Sequence, residues 1–345
     1  NPNSLKRVAM ATMIGTAIEY FDNYIYAMAA VLIFNHQFFH ASDPLSGQIA
    51  ALSTLALTFI ARPLGAVLFG HFGDRFGRKN TFVMSLLVMG ISTVVIGLLP
   101  TYESIGIWAT ILLCLCRIGQ GIGLGGEWGG AALVAIENAP EGKRGWYGIF
   151  PQLGAPLGLL LANGVFLLIT NIFGQTTVID WAWRIPFLSS CVLVAVGVFV
   201  RLKLTEAPIF LAVFDKSKSK TLPMMEVMVS HFKPFFLGML ICISGYVLFY
   251  IMIAFSQIYA KSAPIISEAG YVMGLGFSPQ IFTALLMPSA VSLAITITIS
   301  GKYIDKVGRR IWLIWTTVGV ALFGLVLPYF LENGTTLSLF WFLII

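Results

Sequence analysis

Apolar residues recur along the chain in long unbroken runs, at about 8–34, 47–69, 81–99, 107–135, 146–172, 184–202, 235–260, 272–299 and 311–330, with a tenth opening near 335. Most reach the roughly 20 residues that a helix needs to cross a hydrocarbon layer. They lack the short period-two alternation of a membrane β-barrel. The pattern predicts an all-α membrane protein with ten apolar spans. The first run is too long for a cleavable leader and carries Glu19 and Asp22. The last apolar stretch, residues 337–345, runs to the end without a stop signal, so the helix count is expected to be incomplete.

Composition agrees. Hydrophobic residues make up 58% of the chain and charged residues 10%, against about 25% charged in a soluble domain. The formal charge of +6 does not point to nucleic acid, because of where the cations lie. Lys6 and Arg7, Arg75 to Lys79, Lys143 and Arg144, Arg201 to Lys233 and Lys302 to Arg310 occupy alternate loops. The loops between carry Asp43, Glu103, Asp180, Glu268 and Glu332, with Lys261 and Arg184 as their basic residues. Basic loops stay on the cytoplasmic side, so the N-terminus, the 70–80 loop and the 201–234 segment are expected there, facing anionic lipid. The four cysteines lie in apolar runs, where a small buried hydrophobe is the expected role. No cysteine or histidine spacing suggests a metal site, and no cofactor is expected.

The polar stretch 203–233 divides the chain into an N-terminal bundle of six spans, residues 1–202, and a C-terminal bundle, residues 234–345. One element recurs on either side. Residues 70–79 (GHFGDRFGRK) and 301–310 (GKYIDKVGRR) both read G-x-x-x-D-[RK]-x-G-R-[RK], each after an even-numbered span. A repeat at matching positions implies two parallel halves. Gly77 and Gly308 permit a tight turn, and Asp74 and Asp305 can accept from helix-terminal N–H groups or pair with nearby cations.

These paired loops resemble the signature of the major facilitator superfamily. Residues 14–26 (IGTAIEYFDNYIY), 61–79 (ARPLGAVLFGHFGDRFGRK), 117–128 (RIGQGIGLGGEW), 129–144 (GGAALVAIENAPEGKR), 151–164 (PQLGAPLGLLLANG) and 183–188 (WRIPFL) are similar to its metabolite:proton symporter branch, which includes carriers for shikimate, α-ketoglutarate, citrate and proline/betaine. The resemblance implies twelve helices in two six-helix bundles, of which about ten are covered. It also implies a monomeric carrier in a bacterial inner membrane.

Charges inside apolar runs are the best candidates for the site, since each costs at least ~2.5–3.5 kcal/mol at the membrane centre. Glu19, Asp22, Arg62, Arg117 and Glu127 are of this kind. At 1.5 Å per residue, Asp22 lies about 21 Å along the first span and Arg117 about 15 Å along the fourth. Both sit near mid-membrane, where opposite charges can pair. A protonatable acid facing a permanent cation is a suitable coupling device. Proton-coupled sugar carriers of the same superfamily, the resemblance implies, use this first-helix Asp and fourth-helix Arg.

Asp22, Arg117 and Glu19, one turn before Asp22, are therefore the expected proton-coupling residues. Arg117, Tyr20, Tyr24, Gln120, Glu127, Trp128 and Gln152, with Tyr246, Tyr250 and Gln257 of the seventh span, are the expected substrate contacts. Aromatics there can hold a ring or a quaternary ammonium. The expected cytoplasmic gate is Gly70, Asp74, Arg75, Gly77 and Arg78, with Glu137, Arg144, Gly301, Asp305, Gly308 and Arg309. The glycines from 119 to 130 formally contain G-x-G-x-x-G, but no strand precedes them. Their four-residue spacing predicts close helix packing.

The expected function is proton-coupled import of a small polar metabolite, an organic acid by virtue of Arg117. A zwitterionic osmolyte carrier and a non-transporting receptor on the same fold are the alternatives. A channel lacks support from the internal repeat, and an enzyme lacks a convergent nucleophile, base or metal set.

Overall fold

A computed structural model describes residues 5–39, 44–76, 78–203, 229–251, 256–261, 265–266, 272–273, 275–332 and 335–344. Their principal helices are α1 (Leu5–Leu32), α2 (Pro44–Phe76), α3 (Arg78–Leu98), α4 (Ile107–Glu137), α5 (Arg144–Phe173), α6 (Arg184–Leu202), α7 (Phe232–Tyr250), α8 (Pro279–Val307), α9 (Arg309–Glu332) and α10 (Thr336–Ile344). Seven described helices are long and apolar enough to cross a membrane. In lipid every backbone N–H and C=O must be satisfied within the segment, which is why apolar runs of this length become helices. The chain forms two compact units, residues 1–218 and 219–345.

In the first unit α1 packs along α5, α2 along α4, and α3 lies between α4 and α6. The glycine-rich part of α4 makes this possible. A Cβ on Gly121 would strike the carbonyl oxygen of Thr58, one on Gly125 that of Arg62, and one on Gly123 that of Ser85. The four-residue spacing therefore presses α4 against α2 and α3 together, as expected for lipid-embedded helices. One end of the unit is closed by Tyr26, Phe34, Phe38, Trp183 and Phe187, whose rings meet edge-on or tilted at 5.1–5.9 Å. Outward-facing Ile60 and Val192 are exposed, as lipid-facing residues are.

In the second unit α8, α9 and α10 pack on one another around Phe282, Leu286, Leu339 and Phe342. Within the seventh apolar run the described residues form α7 and the helix Ser256–Lys261. The expected span 272–299 needs correction here. The eighth begins only at Pro279, where the Ser278 hydroxyl accepts from Ile281 N at 3.4 Å. The residues before it form a two-residue antiparallel pair, β1 (Ile265–Ile266) with β2 (Val272–Met273). Hydropathy sees the apolar residues of 272–278 but not that Gly274 and Gly276 interrupt them; Gly276 adopts φ +67°. Cys191 and Cys242 are exposed on helix faces, not buried.

Candidate functional site

Among the described residues, five ionisable side chains lie almost wholly inside the first unit: Glu19 (3% exposed), Asp22 (2%), Arg117 (1%), Glu127 (0%) and Arg201 (5%). They fall into two groups along α1.

The first group surrounds Asp22. Its Oδ1 accepts from Ser190 of α6 at 2.6 Å, and its Oδ2 accepts from Thr93 of α3 at 2.8 Å. Thr93 Oγ1 in turn accepts from Gln120 Nε2 at 2.7 Å, and Gln120 Oε1 accepts from Arg117 Nη1 at 2.6 Å. Asp22 and Arg117, expected as a direct pair, are instead joined by a relay of two neutral side chains. Arg117 and Gln120 are one turn apart on α4 and so share a face. The guanidinium lies 3.6 Å from the centre of the Tyr26 ring, a cation–π contact. Tyr26 is one turn beyond Asp22 on α1, and its hydroxyl bonds Thr54 of α2 at 2.5 Å. Five helices thus meet in one polar chain.

The second group lies one to two turns nearer the N-terminal end of α1. Glu127 of α4 is ion-paired with Arg201 of α6. Arg201 Nη1 also donates to the Phe82 carbonyl at 2.9 Å. Its guanidinium occupies the space a side chain at Gly15 would need. Glu19 stands between the groups, acted on by Glu127, Arg62 and Arg201. Arg62, half-buried, has its guanidinium carbon 5.0 Å from the Phe59 ring.

Arg201 is the residue sequence reasoning missed. In sequence it ends an apolar run and reads as part of the basic cluster that follows. A signal existed: Glu127 lies deep in an apolar run and needs a cation at its own depth. Thr93, Ser190 and Thr54 were also missed. An isolated hydroxyl in an apolar run usually bonds a carbonyl of its own helix, as Thr93 also does to Met89.

The other expected residues are placed as follows. Tyr20 and Tyr24 stack at 5.9 Å and 25° on α1. Gln152 is half-buried on α5, and Tyr246 is exposed on α7. The side chains of Trp128, Tyr250 and Gln257 lie outside the described residues, as do those of Asp74, Arg75 and Arg78, and Gly77 itself. Gly70 has open space around it. Glu137 ends α4 and Arg144, exposed, opens α5. In the second loop Gly301 is buried, Asp305 is exposed in the last turn of α8, and Arg309 opens α9. Gly308 adopts φ +92° at the end of α8. That left-handed conformation, which side chains resist, is what the turn requires.

The sequence matches the family of sugar (and other) transporters over residues 8–227. It is 46% identical to the inner membrane metabolite transport protein YhjE of Escherichia coli, over 99% of this chain and 77% of that protein. It belongs to the major facilitator superfamily. The shikimate transporter of Escherichia coli is 33% identical over 97% of the chain and 74% of its own length. Among solved structures, the proton:xylose symporter XylE bound to 6-bromo-6-deoxy-D-glucose superposes with a TM-score of 0.70 at 18% identity, over 99% of this chain and 78% of that one. That likeness carries the fold. This major facilitator chain is a membrane transporter of small molecules and not an enzyme.

Proposed function

We propose that the protein is a proton-coupled secondary active transporter that imports an organic acid by alternating access, as a monomer in a bacterial inner membrane with its N-terminus in the cytoplasm. The observation that carries this reading is the relay from Asp22 through Thr93 and Gln120 to Arg117. An ionised carboxylate only accepts; once protonated, one of its oxygens becomes a donor. A proton on Oδ2 leaves the Thr93 hydroxyl without its acceptor and competing for the oxygen's lone pairs. Turning that hydroxyl disturbs the bond it accepts from Gln120, and with it the carboxamide that holds Arg117. The guanidinium is then released toward a substrate carboxylate, which it can grip with two parallel N–H···O bonds.

Glu127, Tyr20, Tyr24, Trp128 and Gln152 are the other proposed substrate-binding residues of the first unit, and Tyr246, Tyr250 and Gln257 are those of the second. The loop around Asp74, with Glu137 and Arg144, holds the proposed inner-gate residues of the first unit, and the loop around Asp305 holds those of the second. The stacked Tyr20 and Tyr24 favour one other reading, a proline/betaine-like osmolyte carrier, because paired rings attract quaternary ammonium groups. A receptor on the same fold is the third, and uptake against a gradient excludes it.

Arg117→Gln decides the substrate class. In proteoliposomes with an acidic exterior, the variant should lose uptake of shikimate, used as a carboxylate probe, by about 100-fold, the ~3 kcal/mol of a charge-assisted contact. Carboxylate uptake equal to wild type contradicts the assignment.

A further inference from the structure

Among the described residues of the first unit, three acids and two guanidiniums are almost wholly buried, and their pairing leaves one acid over. Asp22 is held by two hydroxyls and linked to Arg117 through Gln120. Glu127 takes Arg201. Glu19 forms no ion pair among the described residues, and its Oε2 is buried with no hydrogen-bond partner. Glu127 Oε2 is likewise buried without a partner, so each acid of the inner group turns an unused oxygen inward.

The groups that face Glu19 can be named helix by helix. From α4 comes Glu127, from α6 Arg201 and from α2 Arg62; Asp22 follows one turn on along α1 itself. The charged residues of α3 are Arg78 and Lys79, in its first turn, and the one of α5 is Arg144, its first and exposed residue; Tyr147 of α5 lies one turn further in. Arg62 lies over Phe59 and is only half-buried. Arg201 is engaged by Glu127 and by the Phe82 carbonyl. Its guanidinium rests against Gly15, one turn before Glu19 on the same face of α1. Arg201 therefore stands beside two carboxyls and can neutralise one at a time. A buried carboxyl without cation or donor takes a proton in place of charge.

We infer that Glu19 is a second proton-binding site, separate from Asp22, with Arg201 shared between Glu127 and Glu19. With Glu19 protonated, Arg201 stays on Glu127, as observed. When Glu19 gives up its proton, Arg201 turns to it, and Glu127 is left to take a proton in its turn. Two protons would then enter with each substrate. That consequence rests on the proposed proton coupling, but the proton site itself does not.

The test separates the two. Infrared difference spectra of the purified whole carrier, titrated without substrate, report protonated carboxyl groups near neutral pH, where surface acids are ionised. The Asp22→Asn variant should keep a protonated-carboxyl band, and adding Glu19→Gln should remove it. Glu127→Gln, which frees Arg201 for Glu19, should also remove it although Glu19 is intact. This second variant guards against a Glu19 substitution that fails to fold. A band unaltered by Glu19→Gln or by Glu127→Gln overturns the inference. So does a band that follows sodium concentration at fixed pH, which would make the site a cation site. In transport, accumulation should vary as the square of the proton gradient in wild type and as its first power in Glu19→Gln. A first-power law in wild type overturns the second proton. If wild type shows no gradient-driven uptake while the titration behaves as stated, the coupled-transport reading fails and the proton site stands.

Discussion

Asp22→Asn will abolish concentrative uptake while leaving exchange of substrate across the membrane intact. The carboxamide keeps the size of the carboxyl and can still accept from Thr93 or Ser190, which hold Asp22 at 2.8 and 2.6 Å. It cannot ionise, so the relay to Arg117 never resets. A pH difference of one unit is worth about 1.4 kcal/mol per proton, a factor of about ten in accumulation. With the relay fixed, no proton drives substrate entry, and the interior concentration should only equal the exterior whatever the pH difference. Counterflow, with labelled substrate outside and unlabelled inside, needs no net proton movement and should survive. Loss of counterflow and uptake together would make Asp22 a structural or substrate-binding residue instead.

Arg201→Met should be the most destabilising single substitution in the first unit. The side chain is buried, paired with Glu127 and bonded to the Phe82 carbonyl. Removing one member of a buried ion pair leaves the other uncompensated, at a cost of about 3–5 kcal/mol. Substituting Glu127 by Gln in the same chain removes the stranded charge, and most of the loss should be recovered, since buried pairs replaced together are often neutral. Thermal unfolding in detergent across wild type, both single variants and the double variant measures the coupling. Strictly additive losses would show that the pair contributes no interaction of its own.

Much of this site was visible in the sequence as charge in the wrong place. Glu19, Asp22, Arg117 and Glu127 stand out because an ionised group in an apolar run is costly. Their company was less visible. Whether Arg117 meets Asp22 directly or through Gln120 depends on how far α1 and α4 are held apart. That spacing is set by the glycine contacts of α4 with α2 and α3 and by the packing of α1 along α5. Thr93 and Ser190 carry no periodic signal of a role across helices. Arg201 was obscured by its neighbours in sequence, because a cation ending a hydrophobic run is ordinarily a topological anchor.

The fold was legible wherever apolar runs were continuous. It failed ahead of α8, where Val272 and Met273 form β2 and residues 275–278 are not helical. Hydropathy measures how apolar a segment is, not what backbone it adopts. The repeated loop motif was legible twice over, and Gly308 at φ +92° shows why its glycine position cannot be filled freely.

Proton entry is proposed to drive substrate entry. The most direct test is uptake of shikimate, or of the organic acid that best raises thermal stability in a ligand panel, into proteoliposomes under an imposed pH gradient. With the outside acidic, the interior concentration should rise above the exterior and fall back when a protonophore collapses the gradient. Uptake that only equilibrates, at the same level with and without the gradient, would contradict it.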